Sequence, residues 1–274
     1  MKTKPGEIKW HLLIIVVIIV SMMPIVFAVS NSFKTLSEAY ADSFDLIPDH
    51  PTVDNYLHVL KGLPFLKIPL NTFLIAGAVT VFKTITSFLA AYAFVYYDFK
   101  GKTILYFVLI STMFIPFTVT MIPNYLTVSA LGLRDSIFGV ILPQLSDALG
   151  VFLLRQSMKT IPRPLVEAVY LENAGDFRLM KDLVVPLVSP AIISTGIIFF
   201  INSWNEYVWP VLILKSEENY TLSLALQTFI SAEGGTQFTV AMAISVLTML
   251  PPLVLYLIFQ RFIINTFAMS GIKG

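Results

Sequence analysis

The 274 residues are 56% hydrophobic and 13% charged, with a mean hydropathy of +0.79, whereas a soluble domain carries roughly 25% charged residues. A formal net charge of +1 gives no electrostatic argument for nucleic acid or for a strongly acidic partner. The absence of cysteine excludes disulfides and thiolate metal sites and leaves the redox compartment open.

A membrane span needs about 20 mostly apolar residues. Six runs of that kind occur, at about 12–29, 70–96, 104–126, 136–154, 187–214 and 238–264. The chain therefore reads as an all-α integral membrane protein, one transmembrane domain over residues 1–274. The first run, with Lys2, Lys4 and Lys9 before it and Ala28-Val29-Ser30 at its end, has some features of a signal peptide. Its length and the five runs after it favour an uncleaved span. The segment 32–68 carries five acidic residues and is too short to enclose a core of its own. It is expected to form a small external cap or docking surface. Pro116 and Pro123 interrupt the third run, and Pro251-Pro252 lies in the sixth. Prolines are tolerated in such spans where neighbouring groups take up the freed carbonyls, so buried, kinked helices are expected.

Lysine and arginine placement sets orientation. With both termini inside, Lys2, Lys4, Lys9, Lys100, Lys102, Arg155, Lys159, Arg163, Arg178, Lys181, Arg261 and Lys273 are internal, and Lys34, Lys61, Lys67, Arg134 and Lys215 are external: twelve against five. An N-in, C-in topology follows, and residues 155–186 then lie in the cytoplasm.

That loop interrupts the apolar pattern. Pro162 and Pro164 end the preceding helix, and Pro164 suits the first turn of a new one. Leu165 to Glu172 are good helix formers, with Leu165, Ala168 and Leu171 or Glu172 on one face. Asn173-Ala174-Gly175 is a turn signal. Asp176 is placed to cap a second short helix, Phe177–Leu183, and Pro186 is expected to end the excursion and start the fifth span. The predicted unit is a helix, a turn and a helix along the membrane surface. Ala168 would permit close approach by a partner, and Glu167 would offer it a charge.

At this point the residues resemble the signature loop of bacterial importer permeases driven by an ATP-binding cassette. That pattern is Glu-Ala-Ala, three residues, Gly, nine residues, then aliphatic, any residue, aliphatic and Pro. The matching positions are Glu167, Ala168, Val169, Asn173, Leu183, Val185 and Pro186. Val169 replaces the second alanine and Asn173 the glycine; asparagine is the best-tolerated substitute at a left-handed turn. Other stretches resemble the carbohydrate branch, in particular its second, maltose-type permease subunit: Ala90-Ala91-Tyr92-Ala93-Phe94, Phe152-Leu153-Leu154-Arg155-Gln156, Ser203 to Pro210, Gln260-Arg261-Phe262 and Gly271-Ile272-Lys273-Gly274. Their order and spacing cover nearly the whole chain.

The resemblance implies one permease of a pair, forming half of the pathway for a sugar or oligosaccharide in the inner membrane of a bacterium. It implies a homologous permease partner, two ATPase subunits and an extracytoplasmic sugar-binding protein. ATP and magnesium would be held by the ATPase, and this chain would bind no cofactor of its own. The loop residues Glu167, Ala168, Val169, Asn173, Ala174, Gly175 and Pro186 would couple to the ATPase. Gly271 and Lys273 in the C-terminal tail would approach the ATPase dimer.

Gly101-Lys102-Thr103 resembles the end of a phosphate-binding loop, but the glycine required five residues earlier is Tyr96. Lys100 and Lys102 are therefore topology markers. Lys83 and Asp147 fall inside spans, thirteen and eleven residues from the outer side, and at about 1.5 Å per residue they share a depth. Such residues face a cavity or a partner, so an ion pair lining or bracing the pathway is expected, with separate amide or water partners as the alternative. Trp204, Asn205 and Glu206 combine an aromatic face with donors and acceptors, as sugar or binding-protein contact requires. The competing reading is an interfacial aromatic belt with Trp209. No paired carboxylates, nucleophile–base set or metal motif is visible, so no catalytic centre and no enzyme activity is expected. The alternative function is an ion-coupled secondary transporter or channel, with Lys83 and Asp147 as a relay.

Overall fold

The structure is a computed structural model that describes residues 5–62, 64, 66–231 and 237–271. Among the described residues it is helical throughout, with no strand. Four helices are long and apolar enough to cross a membrane, or six if each of two bent pairs is one span. The chain divides into two compact units. One holds the residues up to Ile68 together with Leu222–Pro251, and the other holds Pro69–Thr221 and the chain from Pro252.

In the first unit, α1 (Pro5–Ser32) is the apolar N-terminal helix. Its side chains from Trp10 to Val26 are exposed around much of the helix, which costs little against lipid. The segment after it folds as α2 (Leu36–Ala41) and α3 (Asp54–Gly62). Lys34, fully buried, donates from Nζ to the carbonyls of Asp42 (2.7 Å) and Asp45 (2.6 Å) and so closes the intervening loop. Asn55 does the same for the helix end, donating to the carbonyls of Ser32 and Lys34 at 2.8 Å each and accepting from Thr239 Oγ1 at 2.8 Å. Val59 packs with Val240, Ala243 and Ile244. The last three lie on the helix Phe238–Gly271, which carries Pro251-Pro252 without a break. The helix Leu222–Ser231 completes this unit.

The second unit is built around α4 (Lys67–Tyr96). It is followed by α5 (Lys102–Ser111), α6 (Phe117–Ala130), α7 (Ile137–Ile141) and α8 (Ala148–Met158). Next come α9 (Arg163–Leu171), α10 (Asp176–Arg178), α11 (Val185–Asn205) and α12 (Val208–Ile213). The third apolar run is not one straight span. Lys102–Phe114 and Phe117–Ala130 meet at 99°, because Ile115 turns extended (φ −83, ψ 114) before Pro116. Pro123 stays inside α6. The fourth run also breaks, by 45° between Ile137–Gln144 and Ala148–Met158.

A break inside lipid needs substitute donors for its freed carbonyls. Helix α4 supplies one: Thr86 Oγ1 reaches Leu145 O at 2.9 Å, and Ser87 Oγ also reaches Asp147 O at 3.3 Å, a carbonyl that accepts from Val151 N as well. The approach that makes this possible requires Gly150. A Cβ there would overlap Ser87 Oγ and stand 2.5 Å from Phe199 Cζ. We therefore expect Gly150→Val to destabilise the detergent-solubilised protein by about 1–3 kcal/mol through overpacking, read as a lowered melting midpoint. An unchanged midpoint would contradict this packing.

Pro186 begins the fifth-span helix as expected, but the second expected short helix, Phe177–Leu183, is not separate from it. Residues Asp176–Asn205 run on as one helix. A π-helical stretch, Leu179–Val184, lies immediately before α11, and Pro186 sits in the first turn of α11. The wider turn admits the proline ring without a break, as inserted turns of this kind do. The fifth apolar run is in turn interrupted earlier than expected, at Glu206 and Tyr207, with α12 as a separate helix.

Candidate functional site: the loop 155–186 and the polar stripe of α4

The loop is anchored by its own apolar residues. Val166 and Val169 of α9, with Leu179, Val184 and Val188 after the turn, pack on Phe88, Ala91, Tyr92 and Phe94 of α4 and on Val151, Leu154 and Met158 of α8. Arg155 lies 3.9 Å over the Tyr106 ring at the same end. The opposite face of α9 is open: Glu167 and Ala168 are exposed, with Leu165 beside them. Leu171 is 86% exposed. Val169, partly buried against that core, does not lie on the outer face.

The turn is a Schellman motif. Ala174 N–H donates to Val169 O (3.3 Å) and Asn173 N–H to Tyr170 O (3.0 Å), the two bonds that close a helix C-terminus. Asn173 takes φ +56, the left-handed conformation that asparagine tolerates among non-glycine residues. Ala174 is buried, and Gly175 N-caps the next helix with no side-chain bond.

Asp176 was expected to be that cap and is not. It is the first residue of α10, and its carboxylate is held by two phenols. Tyr97 donates to Oδ2 at 2.7 Å and Tyr170 to Oδ1 at 2.8 Å. Tyr92 donates to the Asp176 carbonyl at 3.1 Å. The Tyr97 and Tyr170 hydrogen bonds hold the Asp176 carboxyl below the usual carboxylate range. Burial and the Asp176 bond push the Tyr170 phenol up to about 12.

Lys83 and Asp147 are brought together. Lys83 Nζ stands 3.4 Å from Asp147 Oδ2, and 5.4 Å from the centroid of Phe199. Asp147 is not mid-helix, however. It sits at the break as the N-cap of α8, its Oδ1 accepting from Leu149 N (2.9 Å) and Gly150 N (3.2 Å). Thr80 and Thr84 continue the polar stripe of α4, their hydroxyls buried without a hydrogen-bond partner and Thr84 facing Gly196 of α11.

Trp204, Asn205 and Glu206 do not form one open platform. Trp204 is buried and stacked on Phe200 (5.5 Å). Glu206 Oε1 accepts from Val208 N (2.8 Å) and Trp209 N (3.3 Å) and so starts α12. Asn205 is exposed. Trp209 is buried too, donating from Nε1 to Gly139 O at 3.3 Å.

Nearby, Asp135, at φ +54, accepts from the hydroxyl of Ser216, from Lys215 N (2.9 Å) and Ser216 N (3.0 Å), and from Asn219. These bonds hold its carboxyl well below the ordinary range and tie the loop before α7 to the loop after α12. Sequence reading missed Asp135, and nothing in its local pattern marks it. Gly271 ends the described part of the last helix, and Lys273 lies outside the described residues. No group of three or more histidine or acidic residues is placed to hold a metal among the described residues.

The sequence model of the family described as "Binding-protein-dependent transport system inner membrane component" matches residues 83–267. The chain belongs to this family. The match takes in the α4 stripe from Lys83, the whole loop 155–186 and the helices on either side. Relatives include the sn-glycerol-3-phosphate transport system permease protein UgpE of Brucella melitensis, 30% identical over 263 residues and 93% of each chain. The protein of the same name from Yersinia pestis bv. Antiqua is 31% identical over 266 residues, 94% of this chain and 95% of that one. In fold the chain is similar to part of a bacterial ABC transporter involved in the import of the acidic polysaccharide alginate, with a TM-score of 0.80 at 22% identity over 95% of this chain and 99% of that one. A bacterial alginate ABC transporter in complex with a periplasmic protein bound to alginate pentasaccharide gives a TM-score of 0.66 at 14% identity, over 92% and 93%. The permease is a transport component, not a catalyst.

Proposed function

We propose that this permease is half of the translocation pathway of an importer for a sugar, oligosaccharide or comparably hydroxylated solute. It works with a homologous permease, two ATPase subunits and an extracytoplasmic binding protein. The chain crosses the inner membrane of a bacterium six times with both termini inside, at about 12–29, 70–96, 104–126, 136–154, 187–214 and 238–264, the third and fourth spans being bent. The exposed apolar belt of α1 between Trp10 and Val26 meets lipid or the partner permease.

The observation that carries the reading is the outward face of α9, with Glu167 and Ala168 exposed, followed by the left-handed turn at Asn173 and then one helix from Asp176 to Asn205. A partner that grips Glu167 and Ala168 holds the near end of a span. Its movement can rotate that helix as a rigid element, which is how packed switches transmit force. Val169, Ala174, Gly175 and Pro186 shape this element, and Gly271 and Lys273 of the tail approach the same ATPases. The Lys83–Asp147 pair braces the pathway at the bend of the fourth span. Asn205, exposed beside Trp204 and Glu206, is the residue of that trio open to solute or binding protein. Support for the solute class comes from the glycerol phosphate named for the relatives and the polysaccharide named for the structural neighbours.

The test is purification from membranes followed by reconstitution with the ATPase, partner permease and binding protein. An ATPase is expected to co-purify, and uptake across a panel of sugars, oligosaccharides and glycerol 3-phosphate is expected to require ATP. Uptake driven by an ion gradient with no ATPase bound would refute the reading and favour a secondary transporter.

A further inference from the structure

We propose that Asp176 and the phenols of Tyr97 and Tyr170 form a joint that passes the movement of the docking helix α9 to α4, so that the loop drives two spans and not one. This rests on the coupling role of the loop given above.

Three elements meet at one carboxylate. Tyr170 belongs to α9, the helix that carries Glu167 and Ala168. Asp176 is the first residue of the helix that continues as α11. Tyr97 follows directly on the last residue of α4. Both carboxylate oxygens are used, one by each phenol, at 2.8 Å and 2.7 Å, ordinary lengths for well-formed O–H donors. Tyr92, one turn back on α4, fixes the main chain of the same residue at 3.1 Å. The turn after α4 is itself braced. Lys102 Nζ donates to Tyr97 O at 2.7 Å and pairs with Asp98 Oδ1 at 3.1 Å, so Tyr97 is not a swinging side chain on a slack loop.

The covalent path from α9 leads through Asn173–Gly175 into α11. No covalent path of comparable length leads from α9 to α4. Side-chain bonds to Asp176 supply one, and α4 is the helix that carries Lys83 and the hydroxyls that hold the broken fourth span. Apolar packing alone holds the loop on α4 but permits sliding. A carboxylate shared between two phenols fixes direction as well as distance, and a rigid contact with a defined geometry is what a two-state switch needs to bias another element.

These are positioning residues: they act through α9 and touch no solute, although Tyr97 and Tyr170 are each 44% exposed. The test uses the full reconstituted complex and reads uptake per ATP hydrolysed. Tyr97→Phe, Tyr170→Phe and Asp176→Asn each remove donor or charge with little change in shape. Each is expected to leave ATPase co-purification and ATP hydrolysis intact and to lower uptake per ATP by about fivefold, the lower end of ordinary coupling factors. Tyr97→Phe in the Asp176→Asn background is expected to add little, because residues in one hydrogen-bond network couple.

An unchanged ratio of uptake to hydrolysis in all three variants, with the complex assembled, would overturn the joint. Loss of ATPase binding in Tyr97→Phe would also overturn it, by placing that phenol in assembly. Failure of the loop's coupling role is a separate result, read from Glu167→Lys with the joint intact.

Discussion

Replacing Glu167 by lysine drops ATP-driven uptake at least about tenfold while the amount of permease in the membrane stays unchanged. The residue is exposed on α9 and makes no contact in the core of its own chain, so the substitution has no folding cost of the kind that follows loss of buried packing. A charge reversal at a partner surface instead opposes a basic group with a like charge, a penalty of several kcal/mol. A surface lysine elsewhere on the loop, such as Lys181, can be reversed to glutamate as the control. Western quantification of the membrane fraction and ATP-dependent uptake are the two measurements. Native uptake in Glu167→Lys would remove the loop's outer face from the mechanism.

The second large effect belongs to Lys83 and Asp147. Their side chains are 16% and 27% exposed, so the pair is largely withdrawn from water. Removing one partner from such a pair leaves an uncompensated charge, which costs 3–5 kcal/mol when burial is complete; partial exposure brings the expected cost of Lys83→Met to about 2–3 kcal/mol. Asp147→Ala is expected to cost about 1 kcal/mol more, the usual worth of a lost N-cap, since Oδ1 also holds the N–H groups of Leu149 and Gly150. Asp147→Asn keeps an oxygen for the cap and separates the two contributions. The double variant Lys83→Met with Asp147→Asn is expected to recover most of the loss, because replacing both members of a buried pair is often nearly neutral. Thermal unfolding of the purified complex measures each. Strictly additive losses across this cycle would show that the two side chains do not support one another.

Gly150 sets the scale for the rest of that junction. Its missing side chain lets α8 approach Ser87 and Phe199, and the Ser87 hydroxyl is then in range of the Asp147 carbonyl. Ion pair, helix cap and close approach thus depend on the same few residues, and substitutions there are not independent.

The apolar runs were legible in the sequence because lipid accepts only long segments with internally satisfied backbone, and composition alone reports those. The left-handed turn at Asn173 was legible for a similarly local reason, the steric cost of a Cβ at positive φ. The shared depth of Lys83 and Asp147 followed from helical rise and was enough to suggest their pairing. So was the family, through the order of Glu167, Ala168, Asn173 and Pro186. Each of these is a property of a residue and its near neighbours.

What tertiary structure decided lies where two distant segments compete for one group. Pro186 carries a local stop signal, yet a π-helical stretch before it lets the helix run from Asp176 to Asn205. Asp176 satisfies the local rule for a helix cap, but phenols from 79 residues away and from the preceding helix offer its carboxylate stronger partners. Val169, which the resemblance placed among the coupling residues, is partly buried against α4 and α8. Trp204, which sequence offered either to solute or to an interfacial belt, is buried against Phe200. Sequence by itself determined a helical, membrane-crossing chain with a polar loop at 155–186, because those features need only local chemistry, and resemblance supplied the family. The break of the fourth run, the place of Asp147 as a cap at that break and the three-way bonding at Asp176 required the fold, because hydrogen bonds and packing choose the nearest partner in space.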